Sequence, residues 1–212
     1  MWICAYRDWA KKIYYETSSI IQSTLISSRV DLKNSVSMFG PNDKIFFIGW
    51  SWKVPNKLIQ SHDCICLHPS VLPKYRGGSP VQHQIINGET ESAVTFFKMN
   101  EQMDAGPILF QKKFSLRGNL EEIFDRISIN GRIGLMNIVM GNYTQVHQNE
   151  QDSTFYKRRK PEESEISVFD FSKSKAQELY NKIRALQDPY PNAFVVCADG
   201  KKLFLKVADY EK

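Results

Sequence analysis

The densest collection of chemically capable residues is the run His68-Pro69-Ser70-Val71-Leu72-Pro73-Lys74-Tyr75-Arg76-Gly77-Gly78-Ser79-Pro80. Prolines and glycines fix its backbone, while histidine supplies a titratable group and lysine and arginine supply anion-pairing donors. It follows an apolar run at 63–67 (Asp-Cys-Ile-Cys-Leu). In open α/β sheets ligands gather beyond the carboxyl ends of strands, which is where such a run would put His68. A second feature is Met103-Asp104-Ala105-Gly106, a carboxylate between two apolar stretches. An aspartate beside a histidine orients the ring and favours its charged form. Taken singly, His68 could equally bond a backbone carbonyl in a rigid turn and Asp104 could be an Asx-turn residue. The pair suggests acid-base or oxyanion chemistry.

Other chemistries lack their residues. The sequence has no G-x-G-x-x-G after its opening apolar run, no G-x-x-x-x-G-K-[ST], no H-E-x-x-H, no C-x-x-C and no G-x-S-x-G. Dinucleotide, nucleoside-triphosphate, zinc and α/β-hydrolase readings therefore have no motif, and metal-free chemistry is expected. The four cysteines at 4, 64, 66 and 197 have neither metal-ligand nor disulfide spacing, so free thiols are expected.

The elements that must position these residues alternate. Residues 2–6, 44–49 and 63–67 are apolar runs of strand length, 9–15 has helical spacing, and Pro55 opens a short helix ending near Gln60. The stretch 20–28 fits helix or strand. Pro80 starts a helix that Asn87-Gly88 closes, while 92–99 and 106–116 read as paired strands around the Asp104 loop. Residues 119–139 form the longest helix candidate, with Asn119 as cap and Glu121 and Glu122 in the first turn. A charged loop at 157–165, a helix near 172–186 and a hairpin over 193–207 turning at Asp199-Gly200 complete the chain. The alternation predicts an α/β fold with a largely parallel sheet, and 212 residues suit one main domain. The division expected is 1–165 as a catalytic domain and 166–212 as a helix and hairpin subdomain. No apolar run is long enough to span a membrane, no secretory leader is visible, and a cytosolic protein is expected. The net charge of +5 is scattered rather than gathered, which permits anionic ligands without demanding nucleic acid.

The stretch 67–82, followed by Met103-Asp104-Ala105-Gly106-Pro107-Ile108, resembles the formyltransferase family that uses 10-formyltetrahydrofolate. Residues 158–164 (Arg-Arg-Lys-Pro-Glu-Glu-Ser) and 183–194, with Asp188-Pro189-Tyr190-Pro191, are similar to the end of that catalytic domain in the nucleotide-sugar members. The resemblance runs from about 44 to 196. It implies a Rossmann-type sheet flanked by helices and transfer of a formyl group to an amine by an Asn-x-His motif plus an aspartate. His68 and Asp104 match, whereas the asparagine position holds Cys66. A thiol is a weak donor, so a backbone N–H replaces the asparagine, or the subfamily tolerates cysteine, or the protein is impaired. Cys66 as a covalent nucleophile is the less favoured alternative.

The same resemblance implies a folate pocket walled by Trp50, Ser51, Trp52 and Lys53 on one side and by Asn100, Met103 and Asp104 on the other. It implies Lys74, Arg76, Arg158 and Arg7 as partners of a substrate diphosphate, Gly77 and Gly78 as close-approach positions, and Tyr75 and Tyr156 as stacking or sugar-bonding groups. The two tryptophans could alternatively fill core or a dimer interface. The substrate implied is a dTDP- or UDP-linked dideoxy amino sugar of the kind that ends in O-antigen and other surface polysaccharides, the enzyme is expected as a homodimer, and no metal is expected. Initiator methionyl-tRNA is the alternative acceptor. The absence of a sizeable extension after Asp188-Pro189-Tyr190-Pro191 weighs against it at this stage. A non-catalytic nucleotide-sugar-binding homologue and an RNA-binding domain are the other classes.

Overall fold

A computed structural model describes residues 1–211. Its centre is a six-stranded sheet in the order β2-β1-β3-β4-β6-β7, built from β1 (Trp2–Cys4), β2 (Thr24–Ile26), β3 (Lys44–Ile48), β4 (Asp63–His68), β6 (Glu91–Lys98) and β7 (Ile108–Ser115). The first four strands are parallel, and β4 to β6 and β6 to β7 are antiparallel. The sheet is thus mixed but mostly parallel, as expected. β5 (Arg76–Gly77) pairs in parallel with β8 (Phe155–Tyr156) apart from it.

Strand periodicity divides the core in two. On one face, Ile3, Phe46, Ile48, Ile65, Leu67 and Phe96 pack beneath α1 (Asp8–Thr17) and α5 (Leu120–Val139). On the other, Cys4, Ile45, Phe47 and Cys64 meet Leu32 of α2 (Arg29–Ser35) and Leu58 of α3 (Asn56–Ser61). The start of α5 is set by a capping box: Asn119 accepts from the Glu122 N–H, and the Glu122 carboxylate accepts from the Asn119 N–H. Gly134 lies inside this helix because a Cβ there would come within 2.7 Å of the rings of Phe96 and Phe110. Close helix-sheet contact thus outweighs the propensity that glycine loses.

Two expectations needed correction. The helix at Arg29–Ser35, capped by Ser28, was not read from sequence, and the ambiguous 20–28 stretch contains edge strand β2. The single helix near 172–186 is two: α6 (Val168–Lys173), with a Ser167–Asp170 capping box, and α7 (Ala176–Ala185). Ser174 and Lys175 are extended between them, so the axis breaks there. With α4 (Pro80–Ile86), β9 (Ala193–Val196) and β10 (Lys202–Leu205) the element list is complete, and the last two form the expected antiparallel hairpin. Ile166, Ile183, Leu186 and Ala193 make a small third core beneath that hairpin. Among the described residues no helix is long and apolar enough to cross a membrane.

Candidate active site

His68 is the last residue of β4, at the edge of the sheet where the carboxyl ends of β1, β3 and β4 point. Its loop is tied down on every side: Thr95 Oγ1 donates to the Ser70 carbonyl, Gln84 to that of Pro69 and Gln111 to that of Leu72. The ring is buried. Its Nε2 bonds the Tyr75 carbonyl at 2.8 Å, and its Nδ1 faces Asp104 Oδ2 at 3.5 Å. A carbonyl oxygen only accepts, so Nε2 is the donor and the ring is held by that edge. At 3.5 Å the Nδ1 edge is an ion-pair distance without a tight hydrogen bond, and it is the edge left for a substrate.

Asp104 arrives from the β6–β7 connection, which folds back over the sheet: the Met99 N–H donates to the Cys64 carbonyl, and Gly106 passes so close to β6 that a Cβ would lie 1.7 Å from the Lys98 carbonyl oxygen. Asp104 Oδ2 accepts from the Gly77 N–H at 2.8 Å, and Gln148 Nε2 donates to the carbonyls of both Asp104 and Gly106, at 2.9 and 2.7 Å. Asp104, Tyr75 and Ser79 are the non-glycine residues with positive φ, at 54°, 60° and 53°. Such conformations cost energy and persist where surrounding contacts over-determine them, and here all three border one site.

Cys66 is on the same face of β4, two residues before His68. Burial, with the Asp104 and Cys64 charges acting the same way, pushes its thiol well above the usual range. Its Sγ lies 3.6 Å from the Leu67 carbonyl. A thiol held protonated is neither a nucleophile nor a strong donor.

The remaining expected residues separate. Trp50, Ser51 and Trp52 are half-buried after β3, with Lys53 exposed. Trp52 packs on Tyr6 at 4.3 Å between ring centroids, and Trp50 meets Trp52 edge-on. Trp50 Nε1 is a buried donor without a partner. Flat aromatic surfaces with an unspent N–H suit a flat heterocycle rich in acceptors. On the Asp104 side, Asn100 and Met103 are exposed, and Asn100 Oδ1 accepts from the Gln102 N–H. Lys74 and Arg158 are exposed cations, and Arg7 lies 5.1 Å from the centroids of both Tyr6 and Tyr190.

Arg76 is corrected: expected to pair a diphosphate, it is buried and donates to Gln148 and to both Glu150 carboxylate oxygens. Tyr75 and Tyr156, expected as stacking or sugar-bonding groups, meet one another. They stack on each other at 4.9 Å, His83 covers Tyr156 further, and the Tyr75 hydroxyl donates to Glu89. No open ring face of Tyr75 remains for a base. Gly77 and Gly78 do allow close approach, but to Tyr156 and Arg158 of the neighbouring segment. Sequence reasoning missed Gln148, Glu150 and Thr154, whose Oγ1 accepts from the Tyr75 N–H. These are single polar residues in a loop with no pattern to mark them. Among the described residues no cluster of His, Cys, Asp and Glu could hold a metal ion.

A family profile described as formyl transferase matches residues 27–139, and one described as formyl transferase, C-terminal domain, matches 160–212. Methionyl-tRNA formyltransferase of Lactiplantibacillus plantarum is 34% identical over 191 residues, which are 86% of this chain and 58% of that protein. The chain thus spans little more than half the length of such curated relatives. The structure of a methionyl-tRNA formyltransferase from Clostridium thermocellum aligns with TM-score 0.81 and 29% identity over 96% of this chain and 95% of that one. A 4-N formyltransferase from Francisella tularensis aligns with TM-score 0.78 and 18% identity over 100% of this chain and 97% of that one, a likeness of fold.

Proposed function

The chain belongs to the formyl transferase family, and from that membership we propose that it is an N-formyltransferase acting between 10-formyltetrahydrofolate and the amine of a nucleotide-linked amino sugar. The observation that carries the reading is the His68–Asp104 pair, 3.5 Å apart and anchored by the Tyr75 carbonyl and the Gly77 N–H. Bound against Trp50, Ser51, Trp52, Lys53, Asn100 and Met103, 10-formyltetrahydrofolate supplies the formyl carbon and a nitrogen leaving group. His68 holds a proton at Nδ1 toward the formyl oxygen, where negative charge develops as the amine attacks. Asp104 uses Oδ2 on Gly77 and faces His68 with it, so Oδ1 receives the amine proton and passes it to the folate nitrogen as the bond between that nitrogen and the formyl carbon breaks. Cys66 contributes no side-chain donor of consequence, and residues 1–165 act as the catalytic unit with 166–212 as a supporting subdomain.

The sugar reading takes Lys74, Arg7 and Arg158 as the partners of a compact diphosphate, Arg158 standing in the basic run Lys157-Arg158-Arg159-Lys160. Methionyl-tRNA is the second reading, favoured by the 34% identical relative. Chain length does not separate the two, because a structure bearing the tRNA-enzyme name matches over 95% of its own length. A cytosolic homodimer making surface polysaccharide precursors remains the cellular setting of the first reading.

The test offers 10-formyltetrahydrofolate with a panel of dTDP- and UDP-linked 3-amino and 4-amino sugars beside methionyl-tRNA. Release of tetrahydrofolate with one sugar, abolished in His68→Ala and Asp104→Ala, is expected. Transfer to methionyl-tRNA alone would replace the acceptor, and transfer to no amine would overturn the reading.

A further inference from the structure

A cavity of about 40 Å³ opens beside the N-terminus of α4, lined by Ser79, Gln82, Arg159, Leu186, Tyr190 and Pro191. Two donors on residues that line it make no close hydrogen bond: Gln82 Nε2, on a residue 3% exposed and near the Tyr190 hydroxyl, and Arg159 Nε. Buried donors are nearly always satisfied, so two orphans on one small cavity call for an acceptor. The neighbouring Gln84, equally buried on α4, shows what a purely structural glutamine does there: its amide donates to the Pro69 and Pro80 carbonyls. Arg159 is built in at both ends, its backbone N–H donating to Ser79 Oγ and its Nη2 to the Glu163 carbonyl, while Nε makes no hydrogen bond. Burial lowers the Arg159 guanidinium from its usual range, with Glu163 opposing; burial raises the half-buried Tyr190 phenol, against which the charges of Arg7 and Arg158 and a hydrogen bond from Gln82 act.

We propose that this cavity seats one phosphoryl oxygen of the amine-bearing substrate, hydrogen-bonded by Gln82 Nε2 and Arg159 Nε. The volume fits: a water occupies about 30 Å³ of liquid, so one oxygen enters while the rest of the phosphoryl group stays at the mouth beside the exposed Lys160 and Arg158. Ser79 is two residues from Gly77, the Asp104 donor, and two residues of chain span at most ~7 Å. The short chain distance between the cavity residue Ser79 and the Asp104 donor Gly77 favours a substrate bearing phosphate and amine on the same sugar. The identity of the substrate rests on the formyl-transfer reading, whereas the phosphate site itself does not.

The experiment titrates the full chain with inorganic pyrophosphate by calorimetry, comparing wild type with Gln82→Met, Arg159→Gln and, as a distant surface control, Lys112→Gln. Wild type and the control should bind alike, and the two cavity variants about tenfold or more weakly, as for loss of a hydrogen bond to a charged group. Melting curves check that each variant is folded, and the near-isosteric Gln82→Met carries the test where Arg159→Gln is unstable. Equal binding by all four proteins, or none by wild type, overturns the phosphate site. Where formyl transfer is observed, Gln82→Met should raise KM for the amine about tenfold with kcat and the folate KM retained. An unchanged amine KM overturns the assignment to substrate. Lost pyrophosphate affinity in a protein with no formyl transfer would refute the activity and leave the site standing.

Discussion

Replacing Gln148 by leucine removes the clamp on the Asp104 loop while nearly conserving side-chain volume. The wild-type amide donates to the carbonyls of Asp104 and Gly106 and accepts from Nε and Nη2 of Arg76. Two neutral hydrogen bonds at about 1 kcal/mol each, and the forked pair from Arg76 onto the single Oε1 taken together as one charged bond at 1.5–3, sum to roughly 4 kcal/mol, of which water at this half-buried side chain restores part, leaving about 2–3. For a chain of this size that lowers Tm by about 5–10 °C. The catalytic effect is separate: Asp104 keeps its Gly77 bond but loses the hold on its own carbonyl, and misplacement by about 1 Å costs on the order of 10² in rate. Differential scanning calorimetry reads the first quantity and tetrahydrofolate release under saturating substrates the second. Glu150→Gln is the contrast. Its side chain is 63% exposed although it also meets Arg76, so a smaller loss of Tm than in Gln148→Leu is expected. A Gln148→Leu protein with wild-type Tm and kcat, or a Glu150→Gln protein harmed more, would refute the assignment of Gln148 as the positioning residue.

Cys66→Ala should keep kcat within a few-fold of wild type, and in wild type Cys66 should resist alkylation at neutral pH because its thiol stays protonated; loss of activity in the alanine variant by rapid-quench assay would revive covalent chemistry. Gly106→Ala should destabilise by more than ~3 kcal/mol in urea unfolding, because its Cβ would lie 1.7 Å from the Lys98 carbonyl oxygen. Burial of Asp63 opposes its charge, but hydrogen bonds and charges from Lys44 and Lys98 outweigh it and hold the carboxyl below the usual range. Its contribution is therefore present above the ordinary aspartate pKa and lost as pH falls through the lower folded-state value. The stability gap between wild type and Asp63→Asn, about 1 kcal/mol at pH 7, should close at acid pH in unfolding titrations; a gap that widens there contradicts the ion pairs.

Much of the scaffold was legible because burial imposes pattern. The strand residues at 45–48 and 64–67 are unbroken apolar runs because both sheet faces are covered, and Asn119 with Glu122 announces α5. Helix Arg29–Ser35 was not legible, since it buries only Leu32 and so shows no periodic face. The break at Ser174 and Lys175 was hidden by polar residues that suit helix or loop equally. In the site, His68 was legible from its place at a strand end. The roles of Arg76, Tyr75 and Tyr156 were not, because what consumes them, Glu150, Gln148 and Glu89, comes from a loop and helix end that sequence spacing does not relate to them. A cationic or aromatic residue in a motif says nothing about whether its partner is already in the protein.

The small cavity lined by Ser79 and Gln82 has walls from two packing units. Tyr190 packs against Phe124 and the main core, as does Ala185, whereas Leu186 belongs to the four-residue core under the C-terminal hairpin. A core that small opens at lower free energy than the sheet, so the amides of β9 and β10 should exchange with solvent hydrogen sooner than those of β3 and β4. One wall is thereby fixed at the stability of the whole fold and the other at that of a minor cooperative unit. Partial opening of the hairpin unit can release whatever occupies the cavity while His68 and Asp104 stay in register, and ligand exchange there is decoupled from the integrity of the reacting groups.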